Sequence, residues 1–350
     1  MTTSGRLAWS IVALSGVTFA ANITGCGGGS PPPAQSASSG SSADTQSLAS
    51  DSPAPRGEPQ SSADLDAGTK AFNAGNFADA RASFEAAVKK APRNYDAQFY
   101  LGLACEKLGD AGAAETAYKG ALAAKPDYAE AASQLGAMYV DAGRTDEAIA
   151  VMRAGVAKTP RSASLHENLG VALATKGDQD GATKEFDFAL QITPGDAMMQ
   201  VTIAHWFNVW HVRGAAPHLD VAVGLVKDDV PMLVEIGFEY RMAGEFASCV
   251  KTFDHAIAVK DGGEVRTDRA LCKLGLKDEK GMLEDLQAAV SKEPTYATAH
   301  YYLAGRLAKN KKFKEAAAEY GKYLELAPTG SLAKEAAERQ KAAQEAAKKK

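Results

Sequence analysis

The chain is short of the features that mark chemistry. It has 6 histidines and 4 cysteines, and no nucleophile elbow, phosphate-cradling glycine loop or HExxH pair occurs in it. His205 and His211 flank Trp206 and Trp210, but six residues apart they do not share a helical face, so a metal site is not expected there. No catalytic residue, cofactor or small-molecule substrate is therefore expected. Basic excess is also missing. Lys and Arg number 39 against 43 Asp and Glu, for a net charge of -4, which argues against a nucleic-acid partner. Aromatics are only 7 %, while alanine is abundant, a balance that suits helices packed closely together. The main apolar run at the N-terminus, Leu7 to Ala21, falls short of the roughly 20 residues a membrane-spanning helix needs.

What is present is a period. Pro92, Pro126, Pro160 and Pro194 are spaced by 34 residues, and the same step relates Gly68, Gly102, Gly136 and Gly170. It also relates Gly75, Gly109, Gly143 and Gly177, and Ala80, Ala114, Ala148 and Ala182. A fixed step of this length means one supersecondary unit copied along the chain. Within 95–128, Leu101 and Gly102 lie in a first helix and Gly109 ends it. Ala114, Tyr118 and Ala121 follow at helical spacing, and Pro126 stops the second helix. Phe84, Met152 and Phe186 stand where Tyr118 stands.

This unit resembles the tetratricopeptide repeat, a helix–turn–helix module. The resemblance implies an all-α fold, a right-handed superhelical solenoid preceded by a disordered N-terminal region. Eight units are expected over 63–330: 61–94, 95–128, 129–162, 163–196, a degenerate 197–229, 230–262, 263–296 and 297–330. A polar capping helix is expected over 331–350. In this family the first helices line a concave groove that holds partner peptides. That carries Phe99, Leu103, Val171, Val201, His205, Asn208, Phe238, Arg241 and Tyr301 to groove positions. Trp206 and Trp210 share a face in the degenerate unit and read either as core filling or as an aromatic ledge for a partner. The set lacks the Lys and Asn pattern with which chaperone-binding members clamp a terminal carboxylate, so a co-chaperone role is not expected.

The N-terminus carries a second resemblance. Arg6 precedes the apolar run, which leads into Ile23-Thr24-Gly25-Cys26. This is similar to the lipobox of bacterial lipoproteins. The resemblance implies a signal peptide over 1–25, cleavage before Cys26, and lipidation of the Cys26 sulfur. Residues 27–62 are Gly, Ser, Pro, Ala and Gln with almost no large apolar side chain, the composition of a disordered linker. Gly27 after the cysteine implies the outer membrane, facing the periplasm. Cys105, Cys249 and Cys272 remain. They are expected as buried thiols that pack like small apolar side chains, with a Cys249–Cys272 bridge as the alternative in an oxidising compartment. The resulting expectation is a lipid-anchored scaffold that binds protein partners and helps assemble or position an envelope complex. The alternatives are an accessory subunit of an envelope enzyme and a soluble intracellular adaptor.

Overall fold

The computed structural model describes residues 63–349. The proposed signal peptide, Cys26 and the linker lie outside those residues. The described residues form 17 helices and contain no strand. They divide into two compact units, 63–194 and 195–349.

The first unit holds four hairpins. They are α1 (Ala63–Asn73) with α2 (Phe77–Lys90), α3 (Tyr95–Lys107) with α4 (Ala111–Ala124), α5 (Ala129–Asp141) with α6 (Thr145–Lys158), and α7 (Ala163–Lys176) with α8 (Gln179–Ile192). The second unit repeats the arrangement. It has α9 (Ala197–Val209) with α10 (Ala215–Val226), α11 (Val230–Met242) with α12 (Phe246–Val259), α13 (Gly263–Gly275) with α14 (Glu279–Lys292), and α15 (Ala297–Lys309) with α16 (Phe313–Leu326). The final helix, α17 (Ala333–Lys348), packs on α16 and buries Leu332 and Ala336 against Tyr320 and Tyr323.

Local chemistry sets the hairpins. Side chains that accept from the third residue onward start many helices: Asn94, Asp110, Asp178, Asp196, Asp229 and Asp278 all cap in this way. The turn inside a hairpin needs one residue with positive φ. Gly75, Gly109, Gly143, Gly177 and Gly244 supply it at φ 72° to 89°. The other three hairpins put His211, Lys277 and Lys311 in the same place, at φ 55°, 62° and 60°. This is the position of His211 in the fold: a turn residue in a backbone conformation that side chains disfavour.

Close helix approach explains the second glycine series. A Cβ on Gly102 would stand 2.4 Å from the Tyr118 ring, and one on Gly170 would stand 2.6 Å from Phe186. Gly68 faces Phe84, Gly136 faces Met152 and Gly237 faces Phe253 in the same relation. In the hairpin α9–α10 the buried large residue is Leu219, and the neighbouring exposed Asp220 accepts a 2.6 Å hydrogen bond from the Tyr240 hydroxyl.

The seventh hairpin departs furthest. Beside its buried Val265, Ala270 and Cys272, α13 carries Arg266, Arg269 and Lys273. All three converge on Asp285 of α14, whose side chain is 3 % exposed. Lys273 Nζ stands 2.7 Å from Asp285, and Arg269 binds it with two nitrogens. The ion cluster lies beside the apolar contact of Ala270 with Met282 and Leu286.

One cysteine expectation is corrected. Cys249 on α12 and Cys272 on α13 form a disulfide, with Cα atoms 5.9 Å apart, a separation typical of such bridges. Neighbouring helices from successive repeats bring them together. Cys105 remains a buried free thiol.

Candidate groove of the second unit

Within each unit, first helices pack side by side. In the second unit α9 meets α11, α11 meets α13 and α13 meets α15. Second helices mainly meet their own partner and the next first helix. The first helices therefore form the inner layer, and a ligand in the groove touches them.

The groove is polar in a definite way. His205 Nδ1 lies 2.8 Å from Glu239 Oε1, and Asn208 Nδ2 donates to Glu239 Oε2 at 2.7 Å and to its carbonyl at 3.0 Å. The Glu239 carboxylate is thus fully engaged between α9 and α11. The Arg241 guanidinium sits over the Phe238 ring at 5.1 Å, and its Nε is buried without a hydrogen-bond partner. Across from it on α13, burial pushes the Asp268 carboxyl up to about 7. The Arg241 charge opposes that rise, while Glu264 and Glu235 reinforce it. Glu235 is also raised, first by burial and then by Glu239. Burial raises Tyr302 in the same neighbourhood, within the field of Arg241 and Asp268.

The expected groove residues are distributed unevenly. His205, Asn208, Phe238 and Arg241 are half-buried and lie together on α9 and α11. Leu103 is half-buried, on α3 of the first unit. Phe99, Val171, Val201, Trp206 and Tyr301 are buried. Phe99 packs among Tyr100, Tyr118 and Tyr128, and Tyr301 among Tyr302, Tyr320 and Tyr323. Trp206 and Trp210 contact at 5.9 Å between ring centroids, with Trp206 buried and Trp210 at the turn.

Sequence reasoning missed Glu235, Glu239 and Asp268. A signal was present: Glu235 and Asp268 are 33 residues apart, the same place in successive repeats. Two other histidines have structural roles. His166 contacts Glu185 at 2.6 Å and the Pro160 carbonyl at 3.1 Å. His300 contacts Glu319 at 2.5 Å and the Pro294 carbonyl at 3.0 Å. Each clips its hairpin to the end of the preceding repeat. Among the described residues, no group of three or more His, Cys, Asp or Glu side chains is arranged to hold a metal ion. No described helix is long and apolar enough to cross a membrane.

Comparison with known proteins agrees with this geometry. Residues 65–129 and 283–331 match one tetratricopeptide-repeat family profile, and residues 106–169 match another. Residues 65–169 and 283–331 thus carry tetratricopeptide repeats. The crystal structure of yeast Tom70 superposes with a TM-score of 0.51 at 16 % identity, over 77 % of this chain and 58 % of that one. This chain thus spans just over half of the Tom70 structure it matches. A tetratricopeptide repeat protein from Parabacteroides merdae ATCC 43184 gives 0.49 at 16 % identity, covering 70 % of this chain and 97 % of its own. YrrB, described as a TPR protein with an unusual peptide-binding site, gives 0.41 at 16 % identity, covering 53 % of this chain and 96 % of its own. No curated protein shows significant similarity to this sequence.

Proposed function

We propose that this chain is a lipid-anchored scaffold that binds protein partners at the cell envelope and carries no catalytic activity of its own. Repeats of this type serve as interaction scaffolds. The observation that carries the reading here is the inner layer of α9 and α11. It leaves His205, Asn208, Phe238 and Arg241 half-exposed along one face, where a partner segment can lie. Anchoring rests on the sequence Ile23-Thr24-Gly25-Cys26 and the Gly/Ser/Pro-rich stretch after it. A lipid on Cys26 would hold the chain at the outer membrane, and about 35 flexible residues would give the repeats a reach of roughly 30–35 Å. The Cys249–Cys272 disulfide suits an oxidising compartment such as the periplasm. The role that follows is assembly or positioning of an envelope complex.

Metabolic labelling with a palmitate analogue tests the anchor. Label on the wild-type chain and none on Cys26→Ala is the expected result; no label on either removes the lipoprotein reading. Crosslinking from a photoreactive residue at position 238 tests the groove. Protein adducts that an excess of purified chain suppresses support it, and adducts formed equally from position 258, on the outer face of α12, count against it.

A further inference from the structure

We propose that the turn edge of the second unit rests on a lipid bilayer that carries anionic headgroups. This goes beyond the anchored-scaffold reading and does not depend on a lipid at Cys26.

The four hairpins of this unit turn around His211, Gly244, Lys277 and Lys311. Contacts between neighbours hold the turns in one row. Asn208, at the end of α9, donates to the Glu239 carbonyl near the end of α11 at 3.0 Å. Gly275, at the end of α13, lies against the Phe246 ring at the start of α12, too close for a Cβ. Glu279, at the start of α14, accepts from Arg306 and, at 2.9 Å, from Lys309 at the end of α15. The turns therefore make a continuous rim.

That rim is both apolar and basic. Val209, Val212, Met242, Leu274 and Leu276 come from three successive turns and are each 41–57 % exposed. Half-buried Trp210 adds a ring beside Val209. Arg213, Lys277 and Lys280 stand among them, and the fourth turn brings Lys309, Lys311, Lys312 and Lys314, all exposed. These cations outnumber the acids at the same turns, Glu245, Asp278 and Glu279, in a chain whose net charge is -4. The ion pairs of Lys309 with Glu279 and Lys312 with Glu315 lie at the surface, where a second anion can reach the ammonium groups. The repeat does not demand this composition. In the first unit the turns balance Lys107 with Asp110, Asp141 with Arg144 and Lys176 with Asp178, and Leu108 is their exposed apolar side chain.

The two characters of the rim select its partner. A nucleic acid would answer the lysines and leave the apolar side chains in water. An anionic bilayer answers both. Lysine and arginine meet its headgroup charge, while Val212, Met242 and Leu276 enter the boundary between headgroups and acyl chains. The lysine stems cover apolar surface at that depth, and the Trp210 ring suits the same layer.

The test is flotation of the full chain with vesicles of phosphatidylcholine alone and of phosphatidylcholine mixed equally with phosphatidylglycerol. Binding to the mixed vesicles should exceed binding to the neutral ones at least about tenfold, and should weaken as salt is added. Lys280→Glu/Lys314→Glu and, separately, Val212→Ser/Leu276→Ser should each weaken it at least about fivefold. Lys107→Glu/Lys176→Glu makes the same change of net charge in the first unit and should leave binding intact. Every substituted side chain is exposed, and a melting curve verifies that each variant folds. The proposal is overturned by equal binding to both vesicles or none to either, by unchanged binding of either rim variant, or by an equal loss in the first-unit control. None of these results bears on lipidation of Cys26 or on the groove, which the labelling and crosslinking experiments decide.

Discussion

Cys249 and Cys272 tie α12 to α13 through a disulfide that joins one hairpin to the next. The bridge closes a loop of 23 residues, for which the chain-entropy argument gives a stabilisation of about 3 kcal/mol. The Cys249 sulfur also lies 3.1 Å from the Gly237 carbonyl oxygen, so it sits against the first helix of its own hairpin. Under reducing conditions, or in a Cys249→Ala/Cys272→Ala variant, the melting temperature of the second unit should fall by several degrees. Thiol counting on the denatured, unreduced chain should leave this pair unlabelled. Labelling of both without reductant would show that the bridge does not form.

The glycine series predicts overpacking. Gly170→Ala places a methyl group 2.6 Å from the Phe186 ring, which is 1 % exposed and has nowhere to go. A loss of about 1–3 kcal/mol is expected in urea denaturation. Phe186→Leu makes room, so the double variant should lose less than the two single changes together. Additive losses would mean that the ring and the glycine do not set the helix spacing.

At the hairpin turns the opposite substitution should help. His211, Lys277 and Lys311 hold φ near 60°, where a Cβ is unfavourable. Glycine at the same place in five other hairpins has no such cost. Lys277→Gly is expected to raise stability by up to about 1 kcal/mol, since strain relief outweighs the added freedom of the unfolded chain. Thermal melts of Lys277→Gly and Lys311→Gly check it; a lowered midpoint in both would refute the argument.

These turns show why part of the fold was legible and part was not. The 34-residue step could be read because Gly68, Gly102, Gly136 and Gly170 each face a large residue across one helix contact, so the same steric demand recurs at the same place. The turn slot could be read only where glycine fills it. Once His211 and Lys277 take it over, the same conformation carries a different letter. The seventh repeat was blurred because Arg266, Arg269, Lys273 and Asp285 set an ion cluster beside its apolar core and change the letters around it. The groove was harder still. Phe99, Val201 and Tyr301 occupy first-helix positions, yet neighbouring rings and helices bury them. Asp268 depends on what α11 and α13 put opposite each other, and no single repeat contains that information.

The charge cluster itself yields a prediction. Asp285→Ala removes the shared partner of three cations, and breaking a buried pair leaves uncompensated charge. Arg266, Arg269 and Lys273 each keep some access to water, at 16–18 % side-chain exposure, which softens the penalty. A loss of about 2–4 kcal/mol is expected. Glu325→Ala is the control. Its partner Lys322 is 45 % exposed, and surface pairs contribute about 0–1 kcal/mol. Equal losses from both would mean that the buried cluster is no more important than a surface pair.

Stability should also depend on pH through Asp268. Its carboxyl is held at about 7 in the folded chain, mainly by burial, whereas an exposed aspartate titrates near 3.8. Between these values the folded state keeps a proton that the unfolded state has released, so unfolding gives up protons and is favoured as pH rises. The stability this group supplies is complete below about pH 4 and is lost as pH climbs through about 7. Glu115, Asp261 and Glu279 act in the other direction and in another window. Their hydrogen-bonded partners hold them at about 2, so their contribution is lost only as the solution becomes strongly acidic. Urea midpoints at pH 5 and pH 8 separate the two effects, because the windows of Glu115, Asp261 and Glu279 lie below both. The wild-type chain should be less stable at pH 8, by no more than a few kcal/mol. Asp268→Asn should shrink that difference, since an amide has no proton to lose. A pH dependence that is identical in the variant would assign the effect to another group.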